Sequence, residues 1–108
     1  MGRYITSTLS YATTTVETAV SYQASVNDRV LCTAGSITIT LPVSTSLLVG
    51  DTVQIIDVGG NAGAANITVA RNGALMQGDA EDLTIDISNI APVLVYTGAT
   101  YGWVISGS

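Results

Sequence analysis

The chain has 108 residues, 47% of them hydrophobic and only 10% charged, and three arginines against eight acids leave a net charge of −5. This is the length of one domain, and without clustered cations it excludes the phosphate contacts on which nucleic-acid binding depends. A surface so poor in charge points to association with further copies or with a partner.

Residues 1–27 carry no charge between Arg3 and Glu17 and are rich in Thr, Ser, Ala and Tyr. They show neither a charged region followed by an apolar stretch nor a run long enough to cross a bilayer, so the chain is expected to be made in the cytoplasm, with no membrane partner. The Gly2–Thr6 segment fits the short N-myristoylation pattern, which arises easily by chance. Ile5 with Leu9 and Val16 with Val20 have helical spacing, but the run Thr13–Thr15 opposes a helix. The segment is therefore expected to be an extended N-terminal arm or a set of edge strands, separate from a β-domain over residues 28–108. An arm of this kind buries too little by itself and is expected to grip a partner through Arg3, Tyr4, Ile5, Leu9, Tyr11, Val16 and Tyr22. Its tyrosines would equally serve to cap the domain's own core.

From Arg29 onward the pattern is that of strands. Arg29–Thr33 holds the single cysteine, Cys32, which reads as a small buried residue rather than a reactive thiol. Ile37, Ile39 and Leu41 alternate with threonines and should face the core, and Pro42 stops that strand. In Thr52–Val58, Val53 and Ile55 alternate with Thr52 and Gln54 before Ile56, Asp57 and Val58 shift parity, which predicts a bulge or burial on both faces. Gly59–Gly63 turns the chain, Ile67 and Val69 share the next inward face, and Asn72–Gly73 predicts a hairpin returning over Ala74–Gln77. Leu83, Ile85 and Ile87 are expected inward, and Val93–Tyr96 is apolar throughout, as in a strand covered on both faces. Trp103 and Ile105 then share a face of the last strand. The sum is an all-β fold of seven to nine short strands, a small antiparallel sandwich, jelly roll or partly open barrel.

No catalytic constellation accompanies these strands. Without His or Lys, a Ser, Thr or Cys nucleophile has only carboxylates to activate it, so no enzyme is expected. Paired carboxylates such as Asp57 with Asp86 or Glu81 remain as glycosidase candidates on inventory, with no support from their spacing. Asp79, Glu81, Asp82 and Asp86 lack the spacing of a calcium loop, and the glycine-rich turn lacks the lysine of a phosphate loop, so no metal or cofactor is expected. The sequon Asn66–Thr68 falls in a strand of a chain expected in the cytoplasm and is discounted. Arg71 reads as a turn-flanking ion-pair partner or an oligomer contact.

The segments GDTVQIID, NITVARNG, GDAEDLTID and LVYTGATYGWVI, in that order over about residues 48–105, resemble a β-module of tailed-bacteriophage virion structural proteins, notably of phages with marine and cyanobacterial hosts. The resemblance implies an all-β, often homotrimeric module of capsid-decorating proteins, head or neck fibres and tail fibres. A span of about 27 residues before the module is too short for a shaft. The expectation is therefore a capsid decoration or cement protein at the virion surface, with the major capsid protein and further copies of itself as partners. The alternative is a tail, neck or head-fibre module that binds a host receptor, with Tyr101, Trp103 or the acidic loops on glycans. An accessory protein with no virion role is a third possibility.

Overall fold

Alternation of apolar and polar residues gives this chain its strands, and the path between them is set by which sheet each joins. The computed structural model describes residues 13–107. Nine strands follow in order: β1 (Thr14–Thr18), β2 (Tyr22–Gln23), β3 (Asp28–Cys32), β4 (Thr38–Thr40), β5 (Thr52–Asp57), β6 (Ile67–Ala70), β7 (Leu83–Ile85), β8 (Val93–Tyr96) and β9 (Trp103–Gly107). A single 3₁₀ turn, Ser44–Ser46, is the one helical element among the described residues.

The first six strands are dealt alternately to two sheets. The first sheet runs β1-β3-β5-β8-β9 and the second β2-β4-β6-β7. A strand returning to its sheet after a visit to the other arrives in the same direction, so β1 with β3, β3 with β5, β2 with β4 and β4 with β6 are parallel. After β6 the chain reverses: β7 pairs antiparallel with β6, β8 with β5 and β9 with β8. The expected all-β fold is present, but the expected antiparallel arrangement is not. Both sheets are mixed, because short connections such as Thr33–Ile37 cross between sheets instead of forming hairpins.

The core lies between the sheets. Val30, Cys32, Val53, Ile55, Leu94 and Trp103 from the first meet Ile39, Leu41, Ile67, Val69 and Ile85 from the second, all buried. Trp103 is fully enclosed and meets Tyr96 edge-on, with ring centroids 5.7 Å apart and planes at 64°. Cys32 is buried as expected, as are Ile37, Ile39 and Leu41.

The turns differ from expectation at two places. Asn72 and Gly73 both have positive φ, as the Asn-Gly pair predicts, but the chain beyond them is not the returning strand. β6 instead takes β7 as its partner, while Met76 bridges to Trp103 of the other sheet. The backbone approach there is so close that a Cβ on Gly102 would lie 2.0 Å from the Leu75 carbonyl oxygen, and Gly102 has φ +73°. Ile87, expected inward, is 62% exposed because β7 ends at Ile85 and the chain leaves the ladder toward Asn89.

Asp57 explains that departure. Inward alternation in β5 continues through Val53, Ile55 and Asp57, with no bulge, so a carboxylate rather than an aliphatic side chain occupies the last core position. Its oxygens accept the backbone N–H groups of Asn61 at 3.1 Å, Ala62 at 2.9 Å and Asn89 at 3.1 Å. Burial pushes its pKa up, but the N–H donors of Ala62, Asn89, Asn61 and Gly60 outweigh that and hold it below the usual carboxylate value. A depressed pKa contributes stability that is complete above the unfolded value, about 3.9, and is lost as pH falls through the lower folded value. Asp57→Asn is expected to destabilise the fold by about 2–3 kcal/mol at neutral pH, since donors are left facing an amide. In urea titrations the gap between wild type and variant should narrow below about pH 4. A gap that stays constant with pH would mean the charge of Asp57 is not what holds the turns.

Candidate functional site

The exposed elements that sequence patterning assigns to partner contact start at β1. β1 is the outermost strand of the first sheet. Thr14 donates its N–H to the Asn27 carbonyl at 3.1 Å, and the Thr18 carbonyl accepts the N–H of Thr33 at 2.9 Å. In a parallel pair, alternate residues turn both backbone groups to the neighbour, so Thr15 and Glu17 direct theirs outward. An edge with unpaired N–H and C=O groups is a template for another strand. Neither proline nor lysine guards it.

Val16 sits in this edge strand, half-buried beside Val30 of β3. Tyr22 lies in β2, the edge strand of the second sheet, packs partly against the core and donates its hydroxyl to Asp28 Oδ2 at 2.8 Å. The same oxygen accepts the Ser25 N–H at 2.8 Å, so buried Asp28 organises the turn from β2 into β3. Burial, the hydrogen bond to Asp28 and its negative charge all push the Tyr22 phenol up from its usual value. Tyr22 thus braces the domain itself, and Val16 belongs to its sheet. Arg3, Tyr4, Ile5, Leu9 and Tyr11 lie outside the described residues.

Beside the start of β1 is an open cleft of about 430 Å³ lined by Thr13, Asn27, Leu48, Val49, Asp51 and Thr52. Leu48 and Val49 are 73% and 74% exposed. They are held out by a tight loop: the Leu48 N–H donates to Asp51 Oδ2 at 2.8 Å, the Asp51 N–H to the Leu48 carbonyl at 3.0 Å, and the Gly50 N–H to the Tyr96 carbonyl at 2.8 Å. The pair falls in the Ser/Thr/Leu/Val connection between Pro42 and the strand that opens at Thr52. Its signal is two adjacent aliphatic residues without a core-facing period, in front of a Gly-Asp turn.

Arg71 closes the loop after β6. Its Nε lies 3.7 Å from Asp82 Oδ1, its backbone N–H donates to the same oxygen at 3.0 Å, and Nη1 donates to the Ala74 carbonyl at 3.0 Å. It is the turn-flanking ion-pair partner anticipated for it. Asp79, Glu81, Asp82 and Asp86 are exposed, and no three His, Cys, Asp or Glu side chains converge among the described residues. Asp57, with its oxygens spent on backbone donors and 1% exposure, is out of reach of any sugar that Asp86 or Glu81 would meet. The indole Nε1 of Trp103 is buried and has no acceptor among the described residues. Tyr101, two residues earlier, is 62% exposed.

Cys32 faces the core beside Asp57, and burial, with the Asp57 charge, pushes its thiol up to about 11. A thiol at that value is protonated at neutral pH and inert to disulfide reagents. Native protein is therefore expected to leave an aromatic disulfide reagent uncoloured at pH 8 and to release one equivalent per chain in denaturant; fast labelling of the native form would show that the sheets open there. Neither a scan against protein families nor a search of curated proteins finds a match to this chain.

Proposed function

We propose that this chain is a non-enzymatic structural protein of a phage virion: a decoration or cement protein at the capsid surface that stabilises the head shell by binding across subunits of the major capsid protein. The observation that carries the choice over receptor binding is the full burial of Trp103, which leaves its ring unable to serve as a sugar-stacking platform. Contact chemistry is available instead at the β1 edge, which no strand among the described residues covers, and at the exposed Leu48–Val49 loop beside it. Three copies sit over a local three-fold position, and residues 1–12, with Arg3, Tyr4, Ile5, Leu9 and Tyr11, reach capsid subunits while the sheets project outward. The work is mechanical. Apolar burial and strand addition across subunit boundaries add cohesion against internal genome pressure.

The second reading is a receptor-binding module of a tail, neck or head fibre, and exposed Tyr101 is the feature that favours it. Copy number separates the two. Quantitative mass spectrometry of purified particles is expected to find this chain in numbers comparable to the major capsid protein; a handful of copies per particle points to the fibre reading, and absence overturns both. Deleting residues 1–12, which spares β1, is expected to abolish co-sedimentation with particles while the circular dichroism of the β-domain is retained. Undiminished attachment of the truncated chain would remove the arm from the mechanism.

A further inference from the structure

The sandwich has two outer faces, and they differ in kind. On the second sheet, Thr38, Thr68 and Thr84 stand in one register row, with Thr40 and Ala70 beside them. Threonine on a pleated surface is suited to water. The outer face of the first sheet carries Leu31 beside Ile56 and Val95 beside Val104, with Val93 in the row of Gln54. All five are half-buried, and among the described residues no further strand layer lies on that side.

Sequence patterning marks the same residues. The parity shift at Ile56 reads as a bulge or burial on both faces, and the unbroken apolar run of β8 as a strand covered on two faces; no bulge is present in β5. Among the described residues only one face is covered: Ile55, Leu94 and Tyr96 point into the core, while Ile56, Val93 and Val95 point away from it.

Two charges lie on this face, Arg29 and Glu17, in adjacent strands and neighbouring rows. Arg29 Nε donates to Gln54 Oε1 at 3.3 Å and makes no ion pair among the described residues. Turned over about an axis across the strands, a second copy of the face brings its Glu17 within reach of this Arg29, and the reverse, so the face is complementary to itself. From these observations the geometry points to the outer face of the first sheet as the surface through which copies of this chain associate.

The occupant is thus a second copy. Five strands at spacings of about 4.8 Å make a face about 24 Å by 17 Å, or about 400 Å² per copy. A contact of about 800 Å² in total falls below the roughly 1,200–2,000 Å² of stable complexes, so this association is reversible and dependent on concentration. The contact is two-fold, separate from the three-fold placement in the proposed function, and it holds or fails without any capsid.

Sedimentation velocity on the full chain, at rising concentration, tests it. Mass is expected to rise above that of a monomer, and Val95→Glu with Val104→Glu is expected to abolish the rise. Because glutamates there also tax the fold, Val95→Thr with Val104→Thr supplies the milder variant, expected to weaken association with melting temperature held. Thr68→Glu, on the opposite face, should change nothing. Arg29→Glu and Glu17→Arg should each weaken association, and together restore it, an outcome that a merely structural role of either residue does not produce. A monomer at every concentration overturns the inference. So does an oligomer that ignores the valine variants, or a monomer that associates only once residues 1–12 are removed, which would make the chain's own N-terminal segment the occupant.

Discussion

A buried carboxylate at the end of β5 is the constraint on which the closure of this fold depends. Asp57 occupies a core position that alternation would assign to an aliphatic residue, and it is tolerable there because backbone N–H groups point at it, three of them within 3.1 Å. Two of those donors, from Asn61 and Ala62, belong to the turn that carries the chain from the first sheet to the second. The third, from Asn89, belongs to the crossing that brings it back. One side chain therefore fixes the exit from the first sheet and the return to it. The positive φ of Asn89 and of Gly60 shows the backbone bent to serve these contacts. A second buried carboxylate, Asp28, plays the same part on a smaller scale between β2 and β3, where it holds Ser25 and Tyr22.

From β3 onward the strands were legible in the sequence because each is short and half-buried, the condition under which alternation is clean; β1 and β2, with no buried apolar residue, carry no such pattern. Ile37, Ile39, Ile67, Val69 and Trp103 all face the core as their spacing predicts. The pairing was not legible. Alternation states which side of a strand is buried but not which strand lies beside it, and a two-sheet coil of parallel strands has the same local pattern as a row of hairpins. Asn72–Gly73 shows the point: its dihedrals are those of a tight hairpin turn, yet the segment beyond it crosses to Trp103 because Gly102 lets the Leu75 carbonyl approach. Asp57 was misread for a related reason. An acid in an apolar run is read as a change of face, whereas its donors come from residues 4 to 32 positions away and leave no trace in the run itself.

The contact surfaces were legible only in part. Tyr22 reads equally well as an anchor for a partner and as a brace for its own core, and the bond to Asp28 six residues later shows the brace. Leu48 and Val49 lack any period, so nothing but their exposure marks them. Ile56 and Val93 gave a truer signal than first appears. The pattern at Val93 reads as two covered faces and that at Ile56 as a bulge or two covered faces, and the described residues supply one covered face and no bulge.

Charge placement completes the account of why this chain is so poor in ionic groups. Two of its eight acids are buried as turn clamps. Asp51, Asp79, Glu81, Asp82 and Asp86 lie in loops outside the strands. That leaves Glu17 and Arg29 as the charges on the broad surface of the first sheet, while the second sheet presents hydroxyls. A soluble monomer normally spreads charge of both signs over its faces, which keeps apolar patches small and separates copies. Here the solubilising charge sits at the loop ends, and the sheet faces are freed from it. In the association inferred above, repulsion between copies would be weakest where the two aliphatic faces meet and strongest at the acidic loops. Such a distribution would favour approach of copies in one orientation, the one in which the acidic loops stay apart.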